Sequence, residues 1–263
     1  MAKKSDARTR ILVAFNASRR DFYALELAAN LAARDQAELL AVFVEDINLF
    51  NLAELPFAKE ISRASAVERE LDNLRLARTQ KSRIEQIQQT LDQLIERLGI
   101  PVSLRIIRGH FVQAVLSAAD EVDILFFCHR EEPVETLTNW PKTAYSKARR
   151  QAARPVWTIF DGSAESKKAL LMAADLATLE PCELCIALPA KTDEELDVLR
   201  REASQTLAGS SLFPRFTVIY PYDAPNLLRL LRQSNCRLLV VNRDAGETVK
   251  AITETAACPI VLV

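Results

Sequence analysis

Glycine is scarce in this chain, with only five among 263 residues. A loop that cradles phosphates needs stretches of main chain without Cβ atoms, so little material for such a loop is present. Charge of one sign is lacking too. The 34 basic and 35 acidic residues leave a net charge of −1, which gives no field to gather nucleic acid or an anionic membrane. No apolar run reaches the length of a transmembrane helix. The opening Met1-Ala2-Lys3-Lys4-Ser5-Asp6 is basic but has no apolar stretch behind it, so no signal peptide is expected and a cytoplasmic location follows. Five cysteines, an odd number, argue against a disulfide framework in that compartment. Cys182 and Cys185 form a C-x-x-C, but their surroundings read as a strand. There, positions i and i+3 face opposite sides, so a redox pair is disfavoured. Cys128, Cys236 and Cys258 read as small buried apolar residues. What is abundant is ordinary globular material, 49% hydrophobic and 26% charged, enough for one large domain or two of about 130 residues.

The chain repeats itself. Phe15-Asn16-Ala17-Ser18 matches Phe160-Asp161-Gly162-Ser163 at an offset of 145 residues. The match runs on through the next helix, where Ala24, Leu25, Ala28, Ala29, Leu31 and Ala32 fall on Ala169, Leu170, Ala173, Ala174, Leu176 and Ala177. A second match, at an offset of 113, sets Leu125-Phe126-Phe127-Cys128-His129-Arg130 on Leu238-Leu239-Val240-Val241-Asn242-Arg243. The difference of 32 residues is an insertion in the first copy. A tandem duplication is the reading, with domains at 8–153 and 154–263 and the insertion within 46–98.

Short continuous apolar runs predict strands covered on both faces. They fall at Ile11–Phe15, Leu39–Val44, Val102–Ile107 and Ile124–Cys128, then at Val156–Phe160, Leu184–Leu188, Phe216–Tyr220, Leu238–Val241 and Ile260–Val263. Helices are expected near Arg20–Arg34, Val67–Leu98, Phe111–Ala119 and Pro141–Ala152 in the first copy. In the second they are expected near Ala164–Ala177, Asp193–Leu207, Pro225–Gln233 and Glu247–Thr255. Alternating strand and helix specify an α/β fold with parallel sheets. Ser18 and Ser163 read as helix N-caps.

This strand–(Asp-Gly-Ser)–helix pattern at Val156–Ala177, together with the terminal Ala257-Cys258-Pro259-Ile260-Val261-Leu262-Val263, resembles the universal stress protein family. The likeness covers nearly the whole chain as a tandem pair, and the second copy carries the closer match. It implies two doubly wound parallel sheets, each of order 3-2-1-4-5, of the flavodoxin or adenine-nucleotide-hydrolase kind. A ligand crevice then lies where the strand order reverses. The resemblance places Asn16, Val44, His129 and Arg130 at the first crevice, and Asp161, Gly162, Ser163, Leu188, Asn242 and Arg243 at the second.

Many members of that family are similar in binding ATP, through an acidic residue ending strand 1, a backbone contact after strand 2 and a G-x-x-G-x₉-G-[ST] loop after strand 4. Asp161 matches the acidic position, while the first copy has Asn16 there. The loop is absent from both copies. No glycine stands between His129 and Arg154, and Gly246 stands alone after Asn242. No cofactor is therefore expected, with ATP or another adenine nucleotide as the alternative. The histidines His110 and His129 follow strands three and four, roughly 14 Å apart at about 4.8 Å per strand, and should not share a metal.

Two further expectations concern the joints of the molecule. Arg154-Pro155-Val156 looks like a fifth strand of the first sheet, yet the same run is strand 1 of the second. The first copy is thus expected to lack its fifth strand, leaving Ile124–Cys128 an edge that the other copy or a second chain must cover. In the insertion, the apolar Ile47–Leu52 and Leu55-Pro56-Phe57 form either a lid or an interface. Helix Pro141–Ala152 carries a basic patch, read as a solvated face. The expected function is a non-enzymatic stress-response regulator with degenerate nucleotide pockets, acting by protein contacts. The expected assembly is a homodimer or an intramolecular pseudo-dimer, with an unidentified protein partner. The alternative is an adenine-nucleotide sensor or weak ATPase using the second crevice. An adenylyl-transfer enzyme is disfavoured for want of a phosphate-gripping loop.

Overall fold

The computed structural model describes residues 8–15, 19–61, 67–70, 73–119, 121–127, 154–243, 248, 251–252, 255–256 and 258–263. The first half holds β1 (Arg10–Phe15), α1 (Arg19–Asp35), β2 (Glu38–Asp46), α2 (Ile47–Ala53), β3 (Lys59–Ile61), β4 (Glu68–Glu70), α3 (Asn73–Leu98), β5 (Val102–Gly109), α4 (Phe111–Ala119) and β6 (Ile124–Phe127). The second holds β7 (Val156–Ile159), α5 (Ala164–Leu179), β8 (Leu184–Leu188), α6 (Asp193–Thr206), β9 (Arg215–Val218), α7 (Ala224–Gln233), β10 (Leu238–Val241) and β11 (Ile260–Leu262). Among the described residues no helix is long and apolar enough to cross a membrane.

The strands β1, β6, β7, β8, β10 and β11 are buried almost without interruption, because helices cover both faces of the sheet. Alternate residues feed opposite cores. Ile11, Val13 and Phe15 face one core with α1, α3, α5 and α6; Leu12 and Ala14 face the other with α4 and α7. Each core draws residues from both halves, so neither half closes its apolar surface alone.

The expectation of two sheets is corrected here. Nine strands form one sheet, in the order β5-β2-β1-β6-β11-β10-β7-β8-β9. All of its neighbours pair in parallel except at the centre, where β11 runs antiparallel to β6 with Ile260 opposite Phe127 and Leu262 opposite Leu125. The physical reason is the edge problem. The run Val156–Ile159 is taken by the middle of the second half, between β10 and β8, so β6 has no following strand of its own. The chain's final strand covers its unpaired N–H and C=O row instead. β11 is thereby paired on both sides, with β10 and β6, and offers no free edge to another chain. The antiparallel centre also turns the carboxyl ends of the two sets of parallel strands to opposite edges of the sheet.

The insertion differs from its expected single helix. Residues 68–70 are a strand, paired antiparallel with 59–61, and the helix begins only at Asn73. The β3–β4 hairpin stands apart from the main sheet. The helix expected at Pro141–Ala152 lies outside the described residues, and that at Glu247–Thr255 lies largely outside them.

Candidate functional site

Of the first crevice, Asn16, His129 and Arg130 lie outside the described residues. Val44 is buried in β2, one position past the last pairing with β1, Phe15 opposite Phe43. The end of this sheet is fixed by polar contacts. Asp46 caps α2 by accepting from the Asn48 amide N–H at 2.9 Å. Arg108, from β5, pairs with Glu45 at 3.0 Å and lies 4.2 Å above the Phe50 ring. The Asn48 side-chain amide donates to His110 Nδ1 at 3.4 Å. β5 and β6, which lead to His110 and His129, are separated by β2 and β1.

The second crevice is described in more detail. β7 ends on Asp161-Gly162-Ser163, which forms a tight Asx turn into α5. Asp161 Oδ1 accepts from the Ser163 amide at 3.0 Å and from its hydroxyl at 2.6 Å. Ser163 Oγ in turn accepts from the Ser166 amide at 3.1 Å, so it is the N-cap of α5. Burial alone would raise the Asp161 carboxyl. Hydrogen bonds from the Ser163 side chain and backbone and from Ser166 outweigh it and hold the group below its ordinary value. Gly162 has φ +85°, and a Cβ there would stand 3.3 Å from Leu199 Cδ2 and 3.4 Å from Glu202 Oε2. Here the left-handed backbone favours glycine, and a Cβ would also make the Leu199 and Glu202 side chains of α6 give by a few tenths of an ångström.

Beside this turn is a cleft of about 480 Å³, lined by Asp161, Pro189, Lys191, Glu194, Glu195, Val198 and Leu199. Its wall is acidic. Thr192 caps α6 through the Glu195 amide at 3.2 Å, and Glu195 Oε2 accepts from the Lys191 amide at 2.8 Å. The fully exposed Glu194 carboxyl is held low by hydrogen bonds from its own amide and the Thr192 hydroxyl. Tyr222, half-buried, has its hydroxyl pKa raised by burial and by the Asp161 charge. The main chain at the end of β8 is partly committed. Leu188 O accepts from the Ile219 amide at 2.9 Å, and Pro189 has no N–H to give.

Of the two strand-4 positions, Arg243 makes contacts other than those expected of it. Asn242 is half-buried at the end of β10, but Arg243 does not turn to the crevice. Its guanidinium donates across to the first half, to Ala119 O and, at 2.6 Å, to Val122 O. Ala119 ends α4, its carbonyl already accepts from the Val122 amide at 3.2 Å, and the guanidinium adds a cation at the negative end of the helix dipole. Arg243 is a clasp between halves.

Sequence reasoning also missed a polar seam. The Tyr23 hydroxyl of α1 donates to Glu180 Oε2 at 3.3 Å. Arg237 pairs with the same carboxylate and lies 4.7 Å above the Tyr23 ring. Arg34 meets Asp175 at 3.1 Å nearby. These residues lie far apart in sequence, and no spacing pattern links them. Cys182 and Cys185 contribute to opposite cores, and both are free thiols. No group of three or more His, Cys, Asp or Glu side chains is placed to hold a metal ion among the described residues.

The sequence profile of the universal stress protein family matches residues 7–125. A universal stress protein domain is found at residues 7–125. The match falls on the first half and not on the second, whose Asp-Gly-Ser turn had carried the closer residue-level likeness. By structure, the whole chain is similar to a universal stress protein from Archaeoglobus fulgidus DSM 4304, with TM-score 0.53, 13% identity, and 96% of this chain and 95% of that one covered. It is also similar to a functionally unknown protein from Pseudomonas aeruginosa PAO1, with TM-score 0.50, 13% identity, and coverage of 98% and 92%. At such identity the likeness speaks for the fold alone. No curated protein matches the sequence.

Proposed function

We propose that this chain is a non-enzymatic stress-response regulator whose crevices do not grip a nucleotide and which acts through protein contacts. The observation that carries the reading is Arg243. It stands just past β10, where the resemblance puts a crevice residue, and its guanidinium is engaged on carbonyls of the opposite half. Three further features support it. Asp161 Oδ1 already accepts two hydrogen bonds within its own turn. The strand-2 main chain offers no donor at Pro189 and a carbonyl already bonded at Leu188. Asp161, Glu194 and Glu195 outnumber Lys191 on the cleft wall, so a polyphosphate meets like charge. Binding phosphate there would need either a glycine cradle or free cations, and the sequence after β10 supplies one glycine.

The second reading, an adenine-nucleotide sensor or weak ATPase, is favoured by one observation. A cleft of about 480 Å³ with a carboxylate at its wall falls within the range of small-molecule sites. Native mass spectrometry of the full chain, purified without added ligand, separates the two. The regulator reading expects the bare 29.4 kDa chain or its multiples. A carried-through nucleotide mass would favour the sensor.

A further inference from the structure

We infer that Cys236 and Cys258 are a peroxide-reactive thiol pair, which closes to a disulfide that staples β10 to β11. The inference goes beyond the regulator reading and does not depend on whether either crevice binds nucleotide.

Both cysteines stand just ahead of a strand, Cys236 before β10 and Cys258 before β11. β10 and β11 pair in parallel, with Leu239 opposite Ile260. Carried back along both strands, that register sets Cys258 opposite Arg237, one step from Cys236. Neighbouring strands lie about 4.8 Å apart and one step is about 3.3 Å, so the two Cα atoms stand roughly 6 Å apart. A disulfide spans that distance without backbone movement. Both side chains turn into the same core, the one that α4 and α7 cover, and both are free thiols. They meet there, with the Cys236 thiol hydrogen-bonded to Cys258. Cys182 and Cys185, by contrast, serve opposite cores.

The surroundings assign the roles. Burial, with the neighbouring Cys258, pushes the Cys236 thiol well above its ordinary value, so Cys236 keeps its proton. As an S–H group it donates to a thiolate on Cys258, and the thiolate is the nucleophile. Cys258 attacks one oxygen of hydrogen peroxide; the O–O bond breaks, hydroxide leaves and Cys258 becomes a sulfenic acid. The Cys236 sulfur then attacks the Cys258 sulfur, forming the S–S bond and breaking S–O. The hydroxyl departs as water with the Cys236 proton. The proton first lost by Cys258 turns the hydroxide into a second water. Two thiols are oxidised by two electrons in all, and one peroxide is reduced to two waters. Cys236 is 9% and Cys258 4% exposed, which selects an oxidant hardly larger than water over a bulky disulfide.

The staple acts on the strand that joins the halves. β11 covers the open edge of β6. A bond at its amino end fixes it in that place and closes a loop of roughly 20 residues in the unfolded chain.

Incubation of the full chain with hydrogen peroxide, then digestion and mass spectrometry without reductant, tests this. The expected product joins the Cys236 peptide to the Cys258 peptide. The melting point should rise by about 5–10 °C and return on adding dithiothreitol. In Cys236→Ser, Cys258 should gain oxygen and the melting point should not rise. In Cys258→Ser, Cys236 should remain a thiol. Recovery of both cysteines as thiols once the less buried Cys182 is oxidised overturns the inference. So does a bond from either to any other cysteine, a Cys236–Cys258 bond that leaves the melting point unchanged, or oxygen gained at Cys236 in Cys258→Ser. If a serine variant fails to fold, the peptide map and melting point of the unmodified chain decide.

Discussion

Arg237→Met should destabilise the protein through the seam between its halves. Arg237 has only 4% of its side chain exposed, and its guanidinium lies between the Tyr23 ring and the Glu180 carboxylate. Methionine keeps much of the apolar stem but removes the charge. Among the described residues, the side-chain partner that Glu180 then keeps is the Tyr23 hydroxyl at 3.3 Å. Breaking a fully buried pair costs about 3–5 kcal/mol. Glu180 keeps 29% of its side chain in water, which lowers the figure to about 2–3 kcal/mol, lost cation–π attraction included. For a chain of this size that corresponds to a melting point roughly 4–10 °C lower. Urea unfolding followed by circular dichroism measures it. The double variant Arg237→Met/Glu180→Leu should recover most of the loss, because no unpaired carboxylate remains. A change under about 0.5 kcal/mol for Arg237→Met, or a double variant no better than the single, would refute the seam's role.

Two further predictions concern the Asp161 turn. Gly162→Ala should cost about 1–2 kcal/mol in urea unfolding, from the positive φ and the contact with Leu199, and an unchanged midpoint would contradict that geometry. The Asp161 carboxyl titrates below its ordinary 3.8, so its stabilisation is complete above that pH and is lost as pH falls through the lower folded value. The stability gap between the unmodified chain and Asp161→Asn should therefore narrow on acidification below about pH 4, and a constant gap would count against it.

Most of the fold is legible in the sequence. Strands buried on both faces are continuous apolar runs, as at β1, β6, β7, β8, β10 and β11, whereas the outer strands β5 and β9 are partly exposed and mixed in composition. The Asp161-Gly162-Ser163 turn is equally plain, because αL glycine and an N-cap serine are local chemistry. The hairpin was missed because Glu68-Arg69-Glu70 is polar and abuts a helical pattern, so no local preference marks it as a strand. The joining of two sheets into one was half legible. The missing fifth strand implied an uncovered edge at β6, but its cover, β11, comes from the other end of the chain. Arg243 and Arg237 were beyond sequence reasoning for the same reason. What each cation meets is set by tertiary placement of Ala119, Val122, Tyr23 and Glu180, and no spacing encodes it.

The proposal that the second crevice does not grip a nucleotide is tested most directly by calorimetric titration of the full chain with ATP and AMP, run beside Asp161→Ala. Binding no tighter than about 1 mM, and the same for both proteins, is the predicted result. Micromolar affinity that disappears in Asp161→Ala would contradict it and make the second half a nucleotide reader.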